Sequence, residues 1–139
     1  MKRNFAAALF ALSTLATSAG VLAQGPAVVA NVPFAFTVAD KTLPAGEYTL
    51  TSTSAGTVQL RGIDPSTRVS TAAVRGSHPS GDQSKLVFYK YGGQYFLHQV
   101  LSPNIFDPNV SIPASSTEKR VRTQEAKLAK PEEVLLAAR

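Results

Sequence analysis

Apolar and polar residues alternate along several short segments between residues 31 and 113. In the first of these segments, Val32, Phe34, Phe36 and Val38 occupy every second position. Successive side chains of a strand point to opposite faces, so this period of two predicts a half-buried β-strand. The segments with this pattern are residues 32–38, 47–53 and 57–62, with the Val- and Thr-rich residues 68–74 as a fourth candidate.

A hairpin gives the strongest local signal. Two apolar runs, Leu86–Tyr89 and Tyr95–Leu97, flank Gly92-Gly93, a pair suited to the positive φ angles of a tight turn. Both faces of these runs carry aliphatic or aromatic side chains, whereas a surface strand has one polar face. We therefore expect the hairpin to lie centrally, covered on both sides, with Gly92 or Gly93 at positive φ.

The C-terminal part of the chain has a helical pattern. Ser115 and Glu118 have the spacing of a capping box, and Pro131 stands where a helix would end, so a helix is predicted over about 116–130. Its apolar side, which includes Val121 and Leu128, is narrow, so we expect the segment to dock weakly and to be separable from the β domain. The predicted fold class is mainly β, a small antiparallel β-sandwich or barrel with a C-terminal α-helix.

The first 23 residues have the three regions of a secretory signal peptide. Lys2 and Arg3 precede an apolar stretch over residues 5–15, and small residues lead to Ala23. The apolar stretch is shorter than the roughly 20 residues that span a bilayer. The predicted organisation is a signal peptide over 1–23, a flexible lead-in over 24–30, an antiparallel β domain over 31–113 and a charged helical segment over 114–139.

Composition narrows the class of protein further. The 116 residues after the signal are enough for one domain, and the absence of cysteine excludes both a disulfide framework and a lipid-modified cysteine. An exported domain without disulfides is typical of bacteria, so the predicted location is the periplasm or the cell exterior. Losing Lys2 and Arg3 leaves twelve basic and nine acidic residues, scattered along the chain. This distribution argues against a nucleic-acid partner, and no stretch remains for a stable membrane span.

Catalytic and metal-binding residues have few candidates. His78 lies in a Gly- and Ser-rich loop and His98 on the second strand of the hairpin, and neither accompanies a recognised nucleophile motif. Asp64, Asp82 and Asp107 stand in separate loops without the dense acidic spacing of a calcium site, so we interpret them as turn residues. We predict no catalytic residue, no metal site and no cofactor.

Aromatic residues of the hairpin form the candidate binding surface. Tyr89, Tyr91 and Tyr95 could stack on a sugar ring or hold an extended peptide, although cross-strand aromatic pairs also stabilise hairpins. Because large apolar residues are mostly interior, packing is the favoured role for the group as a whole. Tyr91 and Tyr95 flank the turn and are the members expected to reach solvent.

Four short motifs occur in an order that resembles a known group of proteins. The motifs are Asn31–Phe36, Leu43–Tyr48, Lys85–Phe88 and Gln94–Leu97. Over residues 27 to 130 the chain resembles a group of small secreted proteins of unknown function that are abundant in acidobacteria and related soil bacteria. The resemblance implies export and a β domain, and it brings no activity and no catalytic residue.

The leading functional hypothesis is a non-catalytic exported β domain. It would bind or scaffold an unidentified partner, such as a glycan or a peptide, in the cell envelope or outside the cell, through the hairpin tyrosines and the C-terminal helix. One alternative is a small hydrolase whose site is assembled around His98 or His78 from residues distant in sequence. The other alternative is a carbohydrate-binding module, which requires exposed, coplanar tyrosines on the hairpin.

We expect the signal peptide to be cleaved after Ala23, because the residues near the −3 and −1 positions are small and the polar Gln24 follows. The intact mass of the exported protein measures where the cut is made. A product that still begins at Met1 would contradict this prediction and indicate a membrane anchor.

Overall fold

A computed structural model describes residues 27–53, 56–75, 82–103, 109–125 and 130–139. These residues form eleven strands and one helix. In chain order they are β1 (Ala27–Val32), β2 (Phe36–Val38), β3 (Lys41–Leu43), β4 (Gly46–Thr53), β5 (Thr57–Gly62), β6 (Arg68–Ala72), β7 (Val74–Arg75), β8 (Lys85–Tyr91), β9 (Gln94–Leu101), β10 (Asn109–Ser111), α1 (Ser116–Glu125) and β11 (Glu132–Ala137). Within these ranges, no helix is long and apolar enough to cross a membrane.

The first sheet, sheet A, has one buried face and one polar face. Its strand order is β1-β4-β5-β6, with every neighbour antiparallel. One buried row crosses all four strands and consists of Val28, Leu50, Leu60 and Val69. The alternate residues of β4 and β5 are polar and point outward, as expected for an antiparallel sheet that packs on one side only.

The second sheet, sheet B, is built around β8 and β9. Its strand order is β11-β8-β9-β10-β7, and the β2–β3 hairpin joins it through a parallel pairing of Thr37 with Phe96 on β9. One edge of β9 pairs with β8, and the other is divided between β10 and β2. The hairpin is therefore central within its sheet, as its apolar faces predict.

Sheets A and B are connected along both edges. On one side, Val29 of β1 and Arg139 exchange backbone N–H···O=C hydrogen bonds of 2.7 and 3.0 Å, just beyond the end of β11. On the other side, the chain passes from β6 of sheet A to β7 of sheet B through Ala73, whose N–H donates to the Gly56 carbonyl at 2.9 Å. The two sheets therefore enclose one apolar core as a sandwich joined at both edges.

Aromatic side chains from both sheets meet in this core. Phe88 of β8 is fully buried, and Phe34 and Phe36 approach it edge-to-face with ring centroids 5.1 and 5.4 Å away. Phe36 makes a similar contact with Tyr48 of sheet A at 5.1 Å, and the Tyr48 hydroxyl donates to the Pro44 carbonyl at 2.6 Å. Each such pair stabilises the fold by about 0.5–1.5 kcal/mol beyond simple burial.

The predicted fold class is confirmed, with two mainly antiparallel sheets and a C-terminal helix. Strands β4 and β5 lie where the alternation predicts them, and β8 and β9 lie where the two apolar runs predict a hairpin. The predicted strand over residues 32–38 is instead divided into the end of β1 and all of β2 on either side of Pro33, whose missing N–H cannot continue a ladder. The candidate strand over residues 68–74 is likewise divided at Ala73 between the two sheets, and β10 lies outside the segments in which alternation predicts a strand.

Two expected segment assignments are wrong. Residues 27–30, assigned to the flexible lead-in, belong to β1, where Val28 is fully buried. The segment 114–139, expected to be helical and separable, contains a ten-residue helix, α1, and then β11, which pairs with β8 along six residues. Val134 and Leu136 of β11 pack against the core, so this part of the chain is integral to the β fold.

The β8–β9 turn requires glycine at its first position. Gly92 has a φ of 60°, whereas Gly93 lies outside the left-handed region. We expect Gly92→Val to lower the free energy of unfolding by about 1–3 kcal/mol, because β-branched residues tolerate this region badly. Gly93→Val is the matched control, since a Cβ there meets no atom within 4 Å. Denaturant unfolding measures the stability of both variants. Equal unfolding midpoints for Gly92→Val and Gly93→Val would contradict the turn geometry.

Candidate functional site

The outer face of sheet A carries polar side chains in register. Two rows cross the sheet from β4 through β5 to β6. The rows are Thr49–Arg61–Arg68 and Thr51–Gln59–Ser70. Gln59 connects them, because it accepts a hydrogen bond from Arg61 Nε at 3.1 Å and donates one to Ser70 Oγ at 3.3 Å. This face is therefore an ordered polar surface.

A groove of about 480 Å³ runs over this face along β4 and β5. Its walls carry hydroxyl, amide, charged and aliphatic side chains, among them Thr49, Thr51, Gln59, Arg61 and Ile63. Each hydroxyl both donates and accepts hydrogen bonds, and the guanidinium donates only. The volume lies in the range of ligand sites, and the walls offer partners for a ligand with its own amide or carboxylate groups.

A rigid turn holds Ile63 at the end of the groove. The Asp64 carboxylate accepts a hydrogen bond from the Ser66 N–H at 3.0 Å, and Thr67 donates its N–H and its hydroxyl to the Asp64 carbonyl at 2.9 and 2.6 Å. The predicted turn role of Asp64 is thus confirmed, and its bond from Ser66 lowers the pKa of the carboxyl. Ile63 is 84% exposed and borders two further cavities of about 200 and 190 Å³.

The hairpin tyrosines, by contrast, are engaged in packing. Tyr91 is only 4% exposed, because α1 covers it, so the expectation that it reaches solvent is wrong. Tyr95 is half-buried, and its ring stacks on Phe34 at a centroid distance of 3.9 Å, next to the main core. Tyr89 is half-buried on the side of the sheet that faces α1. The three rings do not share one face, as a flat aromatic platform would require.

His98 lies at an irregularity of β9. Val87 pairs with Gln99 and Phe88 with Leu97, so His98 is an extra residue, a β-bulge. Its half-buried ring stacks on Tyr89 at 4.1 Å, and its carbonyl accepts the Ile112 N–H at 2.8 Å. These contacts give it a packing role between the hairpin and the chain that follows β10.

The remaining candidates for catalysis and metal binding lie elsewhere. His78 and Asp107 fall outside the described residues, and Asp82 is exposed next to the start of β8. In the described part of the chain, no group of three or more His, Cys, Asp or Glu side chains is placed to hold a metal ion.

The start of α1 is fixed by two capping side chains. Ser115 Oγ accepts the Glu118 N–H at 3.2 Å, as the predicted capping box requires. Asp40, in the β2–β3 turn, accepts the Thr117 N–H at its Oδ1 atom at 2.8 Å. Ala39 and Asp40 both have positive φ angles in this turn, 49° and 63°. The hydrogen bond from Thr117 lowers the Asp40 pKa, since it favours the ionised carboxylate.

The inner face of α1 carries a buried acidic residue. Glu118 is 3% exposed, and the Tyr91 hydroxyl donates to its carboxylate at 3.4 Å. Burial raises the Glu118 pKa despite this bond and the nearby Arg122, and burial together with Glu118 raises the Tyr91 pKa. Folding thus disfavours the ionised form of Glu118 relative to the unfolded chain.

Comparison of the chain with protein-family models, with curated proteins and with solved structures finds no match. The function proposed below therefore rests on the geometry of the groove and of the hairpin.

We expect Glu118→Gln to stabilise the protein near neutral pH. A carboxyl whose pKa is raised by folding favours the folded state at low pH, and this contribution is lost as the pH rises from the ordinary glutamate pKa through the raised one. Glutamine keeps an acceptor for Tyr91 without the buried charge, so the thermal midpoint at pH 8 should rise by about 2–5 °C. Thermal unfolding between pH 4 and 8 measures this. The exposed Glu133→Gln is the control, and parallel pH profiles for Glu118→Gln and the wild type would contradict the prediction.

Proposed function

We propose that this protein is a non-catalytic binding protein of the bacterial periplasm or cell exterior. It holds an extended polypeptide segment of a partner in the groove on the outer face of sheet A. The observation that carries this proposal is Ile63, an 84% exposed aliphatic side chain fixed by a hydrogen-bonded turn where three cavities adjoin. Burying this side chain against a partner would remove apolar surface from water, which favours binding.

The polar walls of the groove support a polypeptide as the ligand. Thr49, Thr51 and Gln59 supply both donors and acceptors, which an extended backbone needs for its exposed N–H and C=O groups. Along the groove, β4 presents Thr49 and Thr51 and β5 presents Arg61 and Gln59, so an extended ligand would meet polar side chains at successive positions. Ile63 would pack against an apolar side chain of the ligand.

The two alternative functions have weaker support. A carbohydrate-binding module needs flat aromatic faces for sugar rings, but none of the described residues that line the main groove is aromatic, and Tyr91 is buried under α1. A hydrolase built on His98 needs an accessible imidazole with a nucleophile beside it, whereas this ring is half-buried and stacked on Tyr89.

Selection from a random library of displayed twelve-residue peptides tests this function. Selected peptides should shift the backbone amide resonances of β4, β5 and the 62–67 turn in NMR titrations. Ile63→Ser should weaken their binding about tenfold, because it removes the central apolar contact.

Leu135→Ser is the matched control, since Leu135 is 57% exposed but lies on β11, away from the groove. It should leave the affinity unchanged. Resonance shifts confined to the hairpin and α1 would overturn the assignment of the groove. Cleavage of a bound peptide, detected by mass spectrometry and lost in a folded His98→Ala variant, would establish the hydrolase instead.

A further inference from the structure

We infer that the polypeptide held in the groove is acidic, and that Arg61 and Arg68 together bind one of its carboxylate side chains. The inference rests on the proposed function, since it specifies the chemistry of a ligand in the same groove. Both arginines are exposed on the outer face of sheet A, and Arg61 lines the main groove. Both also line the adjoining cavity of about 190 Å³.

The placement of the two arginines is unfavourable without a ligand. Arg61 and Arg68 are directly opposite on β5 and β6, where the Cβ atoms of paired residues are about 5 Å apart and like charges destabilise the sheet. In the part of the chain that the structure describes, the ion pairs are Lys90–Glu132 and Arg139–Glu47, and neither involves this pair. Two guanidinium groups at this spacing suit a carboxylate, which can accept hydrogen bonds at both oxygens.

A third cation lies at the same edge of the sheet. Lys41 of β3 donates from Nζ to the carbonyls of Ser66 and Arg68, at 3.3 and 3.2 Å. The acidic residue of the adjacent turn, Asp64, accepts a hydrogen bond from the Ser66 N–H. Three cations against one carboxylate leave this end of the groove positively charged, which is complementary to an acidic segment and steers its approach.

Two ten-residue peptides provide the test: (Glu-Ser)₅ as the acidic probe and (Gln-Ser)₅ as its neutral counterpart. The acidic peptide should shift the amide resonances of β5 and β6 and bind at least tenfold more tightly than the neutral one. Its affinity should fall as salt increases, because the contacts are between exposed charges. Arg61→Gln and Arg68→Gln should each weaken binding severalfold, and the double variant at least tenfold.

The controls distinguish the effect of the two arginines on peptide affinity from an effect of net charge and from a loss of folding. Arg120→Gln removes an exposed cation on α1 and should leave the affinity unchanged. Arg61→Gln and Arg68→Gln should unfold at an equal or higher denaturant concentration than the wild type, because each relieves the repulsion between the two guanidinium groups. Lower unfolding midpoints in both variants would overturn the inference, since the pair would then stabilise the sheet.

Further outcomes distinguish this inference from the proposed function. If library peptides bind the groove while (Glu-Ser)₅ and (Gln-Ser)₅ bind equally, the acidic ligand is excluded and the proposed function stands. If no peptide shifts the groove resonances, both fail. Inorganic phosphate binding as tightly as (Glu-Ser)₅ would overturn the inference in favour of a free anion. Binding of polygalacturonate more tightly than (Glu-Ser)₅ would overturn the inference in favour of an acidic glycan.

Discussion

The pairing of β8 with β9 is the interaction on which the rest of the structure depends. β8 offers its second edge to β11, and β9 divides its second edge between β10 and the β2–β3 hairpin. One face of the pair supplies Phe88 to the shared core, and the other supplies Tyr91 and Phe96, on which α1 rests through Val121. Because both faces are covered, the hairpin is committed to packing, and the proposed ligand contact lies on another surface.

That surface is the outer face of sheet A. Sheet A packs on sheet B through one face only, so its other face carries side chains that water can solvate. An antiparallel sheet with a solvated face places its outward side chains in regular rows, and here those rows carry hydroxyl, amide and guanidinium groups. The exposed Ile63 lies beside them, directly after the end of β5. The requirements of the core thus determine which sheet keeps a solvent-exposed face.

Local patterns in the sequence predict the elements whose geometry is locally determined. The alternation at β4 and β5, the Gly-Gly turn and the Ser115–Glu118 capping box are all present. The sequence does not predict features that depend on pairing between distant segments. β1 and β11 become strands because β4 and β8 offer them free edges, and their short apolar runs fit a lead-in or a helix equally well.

The candidate site also combines features that are determined locally with features that depend on distant segments. Alternation places Arg61 on the outer face of its strand, but its position opposite Arg68 depends on the β5–β6 register. The capping of α1 by Asp40 is equally non-local, since 77 residues separate the two partners. Spacing in the sequence therefore indicates which way these side chains point, and only the pairing of the strands shows what they face.

Closure of the sandwich also fixes the edge of the groove opposite Arg68. Arg139 is held against β1 by its two backbone hydrogen bonds to Val29, and its guanidinium lies 3.6 Å from the carboxylate of Glu47, which lines the groove. An exposed ion pair of this kind contributes little stability, so the backbone bonds provide the attachment. The ion pair instead balances the negative charge of Glu47. The uncompensated positive charge on this face then lies at Arg61 and Arg68, on the side of sheet A away from β1, where an acidic ligand would be drawn.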